Sequence, residues 1–134
     1  MNNKIFFDHE KLIVYQRALE VITFFEMIFE KGIGASYKSQ LERATSSIVH
    51  NIAEGNEKYT SKDRCKYFDI ARGSALECAS GLDIQFIKNK ISEEELFRGK
   101  ALLKEVVSML VGLIKSNSND RVYESSVEYK AEEE

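Results

Sequence analysis

Apolar residues recur along this chain at three- and four-residue intervals in four successive stretches, the spacing that places them on one side of an α-helix. The first stretch predicts a helix over 10–31 with Asp8 as its N-cap. Leu12, Tyr15, Leu19, Ile22 and Phe29 mark one stripe, while Val14, Val21, Phe24, Phe25 and Ile28 widen the apolar arc beyond a single face. Gly32 and Gly34 end it, because glycine accepts the left-handed geometry of a helix terminus. The second predicted helix covers 36–57, with Leu41, Ala44, Ile48 and Ile52 as its buried stripe. The third covers 61–89, with Thr60 and Asp63 at capping-box spacing and a stripe of Phe68, Ala71, Ala75, Ala79, Leu82 and Phe86. The fourth opens on Ser92-Glu93-Glu94-Glu95, a serine cap with a glutamate that reaches back and three acids at the positive helix end. Leu96, Leu103, Val107, Leu110 and Ile114 carry it to residue 115.

No segment alternates as a strand would. Four long amphipathic helices with short connections predict an all-α fold, an antiparallel up-down four-helix bundle. The run Ser116-Asn117-Ser118-Asn119-Asp120 breaks the pattern. Residues 1–116 therefore read as one bundle and 117–134 as an acidic, mostly loose C-terminal tail that folding does not require.

Composition sharpens this picture in three respects. The 134 residues suit one domain with its own core, and the absence of proline leaves long helices uninterrupted. The net charge of −3 hides an asymmetry: the last eighteen residues hold six acids and two bases, leaving seventeen bases and sixteen acids in the body. Neither part has the basic field of a strong nucleic-acid binder. Cys65 and Cys78, thirteen residues apart, would lie about 19 Å apart along one helix, beyond disulfide reach. Reduced thiols, no signal peptide and no span of about twenty apolar residues predict a cytoplasmic protein with no membrane contact.

Signals of catalysis are thin. There is no phosphate-binding loop, no dinucleotide fingerprint, and no Glu-x-x-His pair of a di-iron bundle. His9 and His50 have no second histidine or cysteine at ligand spacing, so no metal or cofactor is expected. Cys65 lies between Arg64 and Lys66, which would lower a thiol pKa, but no histidine base is near it in sequence. The chain is not expected to be an enzyme.

Two features point to binding. Val14, Val21 and Ile28 repeat at seven residues, off the line of Leu12, Leu19 and Phe29, and with Phe24 predict a second apolar stripe for contact with another copy. Gly73, Glu77 and Gly81 are spaced by four on the third helix. Each helical glycine costs roughly 1 kcal/mol relative to alanine, and a close backbone contact at a subunit interface would offset that cost. A homo-oligomer is expected on these grounds. Separately, Arg43, Lys58, Lys62, Arg64, Lys66 and Arg72 gather around the junction of helices two and three as candidate contacts to nucleic-acid phosphates, interleaved with Glu54, Glu57, Asp63 and Asp69. The alternative is a protein-binding scaffold with no nucleic-acid role.

The second helix also carries Gln40-Leu41, Arg43-Ala44, Ser47-Ile48 and Asn51-Ile52-Ala53-Glu54-Gly55. These blocks resemble the signature of the four-helix-bundle proteins encoded in 23S rRNA intervening sequences. Phe7 and the run from Leu12 to Ala18 are similar to that family's opening, and Thr60-Ser61-Lys62, Tyr67-Phe68, Ile70-Ala71-Arg72-Gly73-Ser74 and Glu77 to its third-helix pattern. The resemblance covers about 7–114 and makes Gln40, Arg43, Ser47, Asn51, Glu54 and Glu77 its polar motif residues. It implies an up-down bundle assembling as a ring, typically a pentamer, with no enzymatic activity. It also implies kinship to accessory proteins of diversity-generating retroelements, hence RNA or DNA and a reverse-transcriptase-like protein as partners. Two positions depart from the signature: Glu42 stands where a base is usual and Val49 where proline is usual.

Overall fold

The computed structural model describes residues 4–118; the tail expected to be loose and dispensable lies almost wholly outside them. Within them a 3₁₀ turn, Asp8–Lys11, precedes four helices: α1 (Ile13–Phe29), α2 (Ala35–Glu57), α3 (Ser61–Ile87) and α4 (Glu93–Asn117). Each helix packs on its neighbours in sequence and α4 closes on α1, so α1 and α3 lie on one diagonal and α2 and α4 on the other. This is the up-down bundle the periodicity predicts.

The caps follow local chemistry. Thr60 accepts the Asp63 backbone N–H at 3.1 Å. Ser92 accepts from Glu95 N–H at 3.1 Å while the Glu95 carboxylate accepts the Ser92 N–H at 2.8 Å, a complete capping box. Lys31, just beyond α1, pairs with the same carboxylate at 2.6 Å, so hydrogen bonds from Lys31 and Ser92 hold the Glu95 pKa below its usual value. At the other end of that turn Asn89 is left-handed (φ 61°). The N–H groups of Asn89 and Lys90 return to the carbonyls of Phe86 and Gln85 in a Schellman closure.

Helix α1 starts three residues later than the sequence predicts, because Asp8 has other work. Its carboxylate accepts from Asn56 Nδ2 at 2.9 Å, tying the 3₁₀ turn to the end of α2, and Glu10 caps that turn by accepting the Phe7 N–H at 2.9 Å.

The expected roles of the two α1 stripes are reversed. Val14, Val21, Phe24 and Ile28 were expected at a subunit interface; they are buried in the chain's own core with Ala18 and Phe25. The stripe left over is Leu12, Tyr15, Leu19 and Ile22, with Leu19 41% exposed and the other three half-buried. The reason is continuity. Positions 14, 18, 21, 25 and 28 keep an unbroken four-three spacing of apolar residues, the seam of a packed bundle, whereas Glu26 interrupts the other series.

Glycines set how closely the helices approach. A Cβ on Gly55 would lie 2.8 Å from the ring of Phe68, and one on Gly81 2.5 Å from Leu41, so both belong to the α2–α3 contact. Gly81 is therefore a contact within the bundle, which corrects its assignment to a subunit interface. Gly99 of α4 has Leu82 at 2.5 Å and Phe24 at 2.6 Å from the same position. The α3 stripe is as predicted at Phe68, Ala71, Ala75 and Leu82, joined by Cys78, Gly81 and Gln85. Gln85 is 1% exposed and neither end of its amide finds a partner among the described residues, which costs about 1–3 kcal/mol.

These contacts divide the helical glycines into two kinds. Gly55→Ala should lower stability in urea unfolding by about 1–3 kcal/mol, because the fully buried Phe68 ring has no room to yield. Gly112→Ala, with nothing within 4 Å, should raise it by up to about 1 kcal/mol.

Candidate interaction face on the second and third helices

The polar motif residues divide by what they touch. Ser47 sits at the centre of the α2–α3 contact: Ser74 Oγ donates to Ser47 Oγ at 2.8 Å, and Asn51 Nδ2 donates to Ser47 Oγ at 3.1 Å and to its carbonyl at 2.8 Å. Ser47 thus ties α2 to α3, Asn51 holds the Ser47 hydroxyl from within α2, and Gly55 supplies the close approach a turn later. Glu54 turns outward and pairs with Lys58 at 3.2 Å, which holds the Lys58 pKa above its ordinary value. Gln40, Arg43 and Glu77 are exposed. Among the described residues neither Arg43 nor Glu77 has an ion-pair partner within 4.0 Å.

The six candidate bases do not act as one patch. Arg64 is part-buried: its Nη1 donates to the carbonyls of Asn56 (2.7 Å) and Lys58 (3.4 Å), and its Nε to Asn117 Oδ1 at 3.0 Å. It therefore joins the end of α2 to the end of α4, a structural role that sequence spacing did not reveal. Arg72 is held by Asp69 at 3.0 Å and Lys58 by Glu54. Lys62, Lys66 and Arg43 have no carboxylate partner among the described residues, and Lys66 stands 5.8 Å from the Tyr67 ring.

The thiols are not poised as nucleophiles. Burial pushes the Cys65 pKa up, with the Arg64 charge opposing it only in part, and its Sγ donates to the Ile114 carbonyl at 3.6 Å. Burial takes Cys78 up to about 12. Among the described residues no three His, Cys, Asp or Glu side chains are grouped to hold a metal ion, and no helix is long and apolar enough to cross a membrane.

The outward face of α3 is instead apolar and small. Ile70, Leu76, Ile84 and Ile87 are all exposed, the last at 76%. Among the described residues Gly73 has nothing within 4 Å of where a Cβ would stand. Ile70, Gly73, Glu77, Ser80, Ile84 and Ile87 keep a strict three-four spacing, so they form one line on the helix, about 25 Å long from Ile70 to Ile87. Gly73 and Glu77 are the members of this line expected from spacing alone; the isoleucines were not among them, although their spacing is legible beside the buried stripe.

The division between structural and free bases is measurable. Arg64→Met should cost about 1.5–3 kcal/mol in urea unfolding, the range for hydrogen bonds to a charged group, whereas Lys62→Met should change stability by less than about 0.5 kcal/mol.

Comparison with known proteins agrees with this architecture. No curated protein matches the chain. Among solved structures, a protein of unknown function from the S23 ribosomal protein family of Bacteroides thetaiotaomicron superposes with a TM-score of 0.71 at 20% identity, covering 77% of this chain and 99% of that one. At that identity the likeness speaks for the fold alone. The family model described as "23S rRNA-intervening sequence protein" matches residues 10–112, from the 3₁₀ turn to the last turns of α4, and so takes in both α2 and the outward line of α3. With that match spanning most of its length, the chain belongs to the 23S rRNA-intervening sequence protein family.

Proposed function

We propose that this protein is a non-enzymatic assembly module that associates with copies of itself through the outward face of α3. One observation carries the reading: a line on α3 from Ile70 to Ile87 whose three isoleucines are exposed, with Gly73, Glu77 and Ser80 between them, and which the bundle's own core does not use. A partner's helix laid along this line would cover those isoleucines, and repetition of one contact around a symmetry axis closes a ring. The open Gly73 lets a neighbouring helix come close, which offsets its propensity cost.

Direct recognition of nucleic acid by a single chain has less support. Three of the six candidate bases, Lys58, Arg64 and Arg72, are spent on carboxylates or backbone carbonyls. A ring would nonetheless repeat Lys62 and Lys66 once per subunit, so an RNA or DNA partner, and the reverse-transcriptase-like partner the resemblance implies, belong to the assembled form. Phosphate-driven binding would weaken steeply with added salt, whereas the apolar self-contact would not.

Light scattering on the purified chain should give a mass several times 15.4 kDa that is insensitive to salt. Ile70→Glu should reduce it to the single-chain mass with the helical circular dichroism spectrum retained. A wild-type mass of one chain at micromolar concentration would overturn the proposal.

A further inference from the structure

The α3 line has a counterpart in the same molecule. Phe24 of α1 and Leu82 of α3 pack on the same residue, Gly99, and therefore stand at the same height in the bundle. Both helices run in the same direction with the same rise per residue. Counting back nine residues from each sets Tyr15 level with Gly73. By the same count Leu12 is level with Ile70, Leu19 with Glu77, and Ile22 with Ser80. The leftover stripe of α1 and the exposed line of α3 thus share one spacing and one height, on diagonally opposite helices. Tyr15 and Ile22 are large where Gly73 and Ser80 are small, and Leu19 is level with Glu77.

We infer that the outward stripe of α1 on one copy docks onto the outward line of α3 on the next, with the partner subunit's Tyr15 set against Gly73. The inference rests on the self-assembly proposed above and specifies its mode. Rotation about an axis parallel to the helices leaves heights unchanged, so it brings level positions together without any shift along the bundle. Because α1 and α3 face opposite ways, the contact is head-to-tail and leaves each copy with one free face of each kind, as ring closure requires. Charge agrees with this arrangement. Glu77 lies in the middle of the α3 line with no ion-pair partner among the described residues. Arg43, likewise without one among them, lies on the outward face of α2, the helix packed beside α1. Leu41 packs on Gly81, which sets Arg43 within about one helical turn of the height of Glu77. Docking of the α1–α2 side onto α3 therefore brings the partner subunit's Arg43 to Glu77. Lys104 of α4 is also a cation without a carboxylate partner among the described residues, but it is carried by the helix on the other side of α3 and serves as the control.

A mixing experiment tests the mode. Leu19→Glu spoils only the α1 side and Gly73→Arg only the α3 side; both positions are exposed, so the helical spectrum should survive. Each variant alone should run as a single chain. Mixed, they should form a one-to-one dimer and nothing larger, since one intact α1 face meets one intact α3 face and both outer ends are blocked. Arg43→Glu should weaken wild-type assembly about tenfold or more, Glu77→Arg in the same chain should restore it, and Lys104→Glu should leave it unchanged. Assembly of Leu19→Glu at the wild-type mass, or a mixture that stays monomeric while the wild type assembles, would overturn the inference and leave self-assembly standing. A wild-type protein that is itself monomeric would overturn both.

Discussion

The close approach of α3 to its two neighbours is the constraint on which the rest of this bundle depends. Gly55 and Gly81 remove the side chains that would hold α2 and α3 apart, and Gly99 does the same where α1, α3 and α4 meet. On the inner side of α3 the residues are correspondingly small: Ala71, Ala75, Cys78 and Gly81 lie between Phe68 and Leu82. The polar bonds between the helices follow from that spacing, because the Ser47 and Ser74 hydroxyls meet at 2.8 Å only when the backbones are this near. A helix packed so closely on one side is still long, and its other side carries Ile70, Ile84 and Ile87, which stay exposed among the described residues.

This arrangement changes what the motif residues mean. Ser47 and Asn51 read as polar motif residues in the sequence, yet in the fold Ser47 bonds across to Ser74 of α3 and Asn51 holds its hydroxyl in place. Arg64 reads as a phosphate contact and instead closes the ends of α2 and α4. What remains for partners is a smaller set, Gln40, Arg43 and Glu77, beside an apolar line. In the assembly proposed above, those residues would serve protein–protein contact first, and any nucleic acid would meet bases repeated once per copy.

Much of this was legible in the sequence, for physical reasons particular to each element. The caps at Thr60 and Ser92 are local and depend on no tertiary contact, so they were readable. The stripe of α3 was readable because Phe68, Ala71, Ala75 and Leu82 recur at helical spacing and the charged residues of the helix all fall outside it. Helix α1 was not, because it is apolar nearly all round: Val14 and Leu12 are equal candidates for burial by composition, and only the unbroken series through Ala18 and Phe25 separates them. Gly73 and Gly81 look alike in a sequence, and eight residues of helix rotate one toward open space and the other toward Leu41. The role of Arg64 was hidden because its partners, Asn56, Lys58 and Asn117, come from two helix ends that only the folded bundle brings together.

The central claim is that the open side of α3 is completed by α1 of another copy, and a covalent trap tests it most directly. In a chain carrying Cys65→Ser and Cys78→Ala, Leu19→Cys and Glu77→Cys stand at one height on opposite sides of the bundle, too far apart to join within one molecule. Mild oxidation should link successive copies into a ladder of covalent multimers, and neither cysteine alone should give more than traces. A double variant that stays single-chain on oxidation, or one in which Glu77→Cys alone cross-links efficiently, would contradict the account.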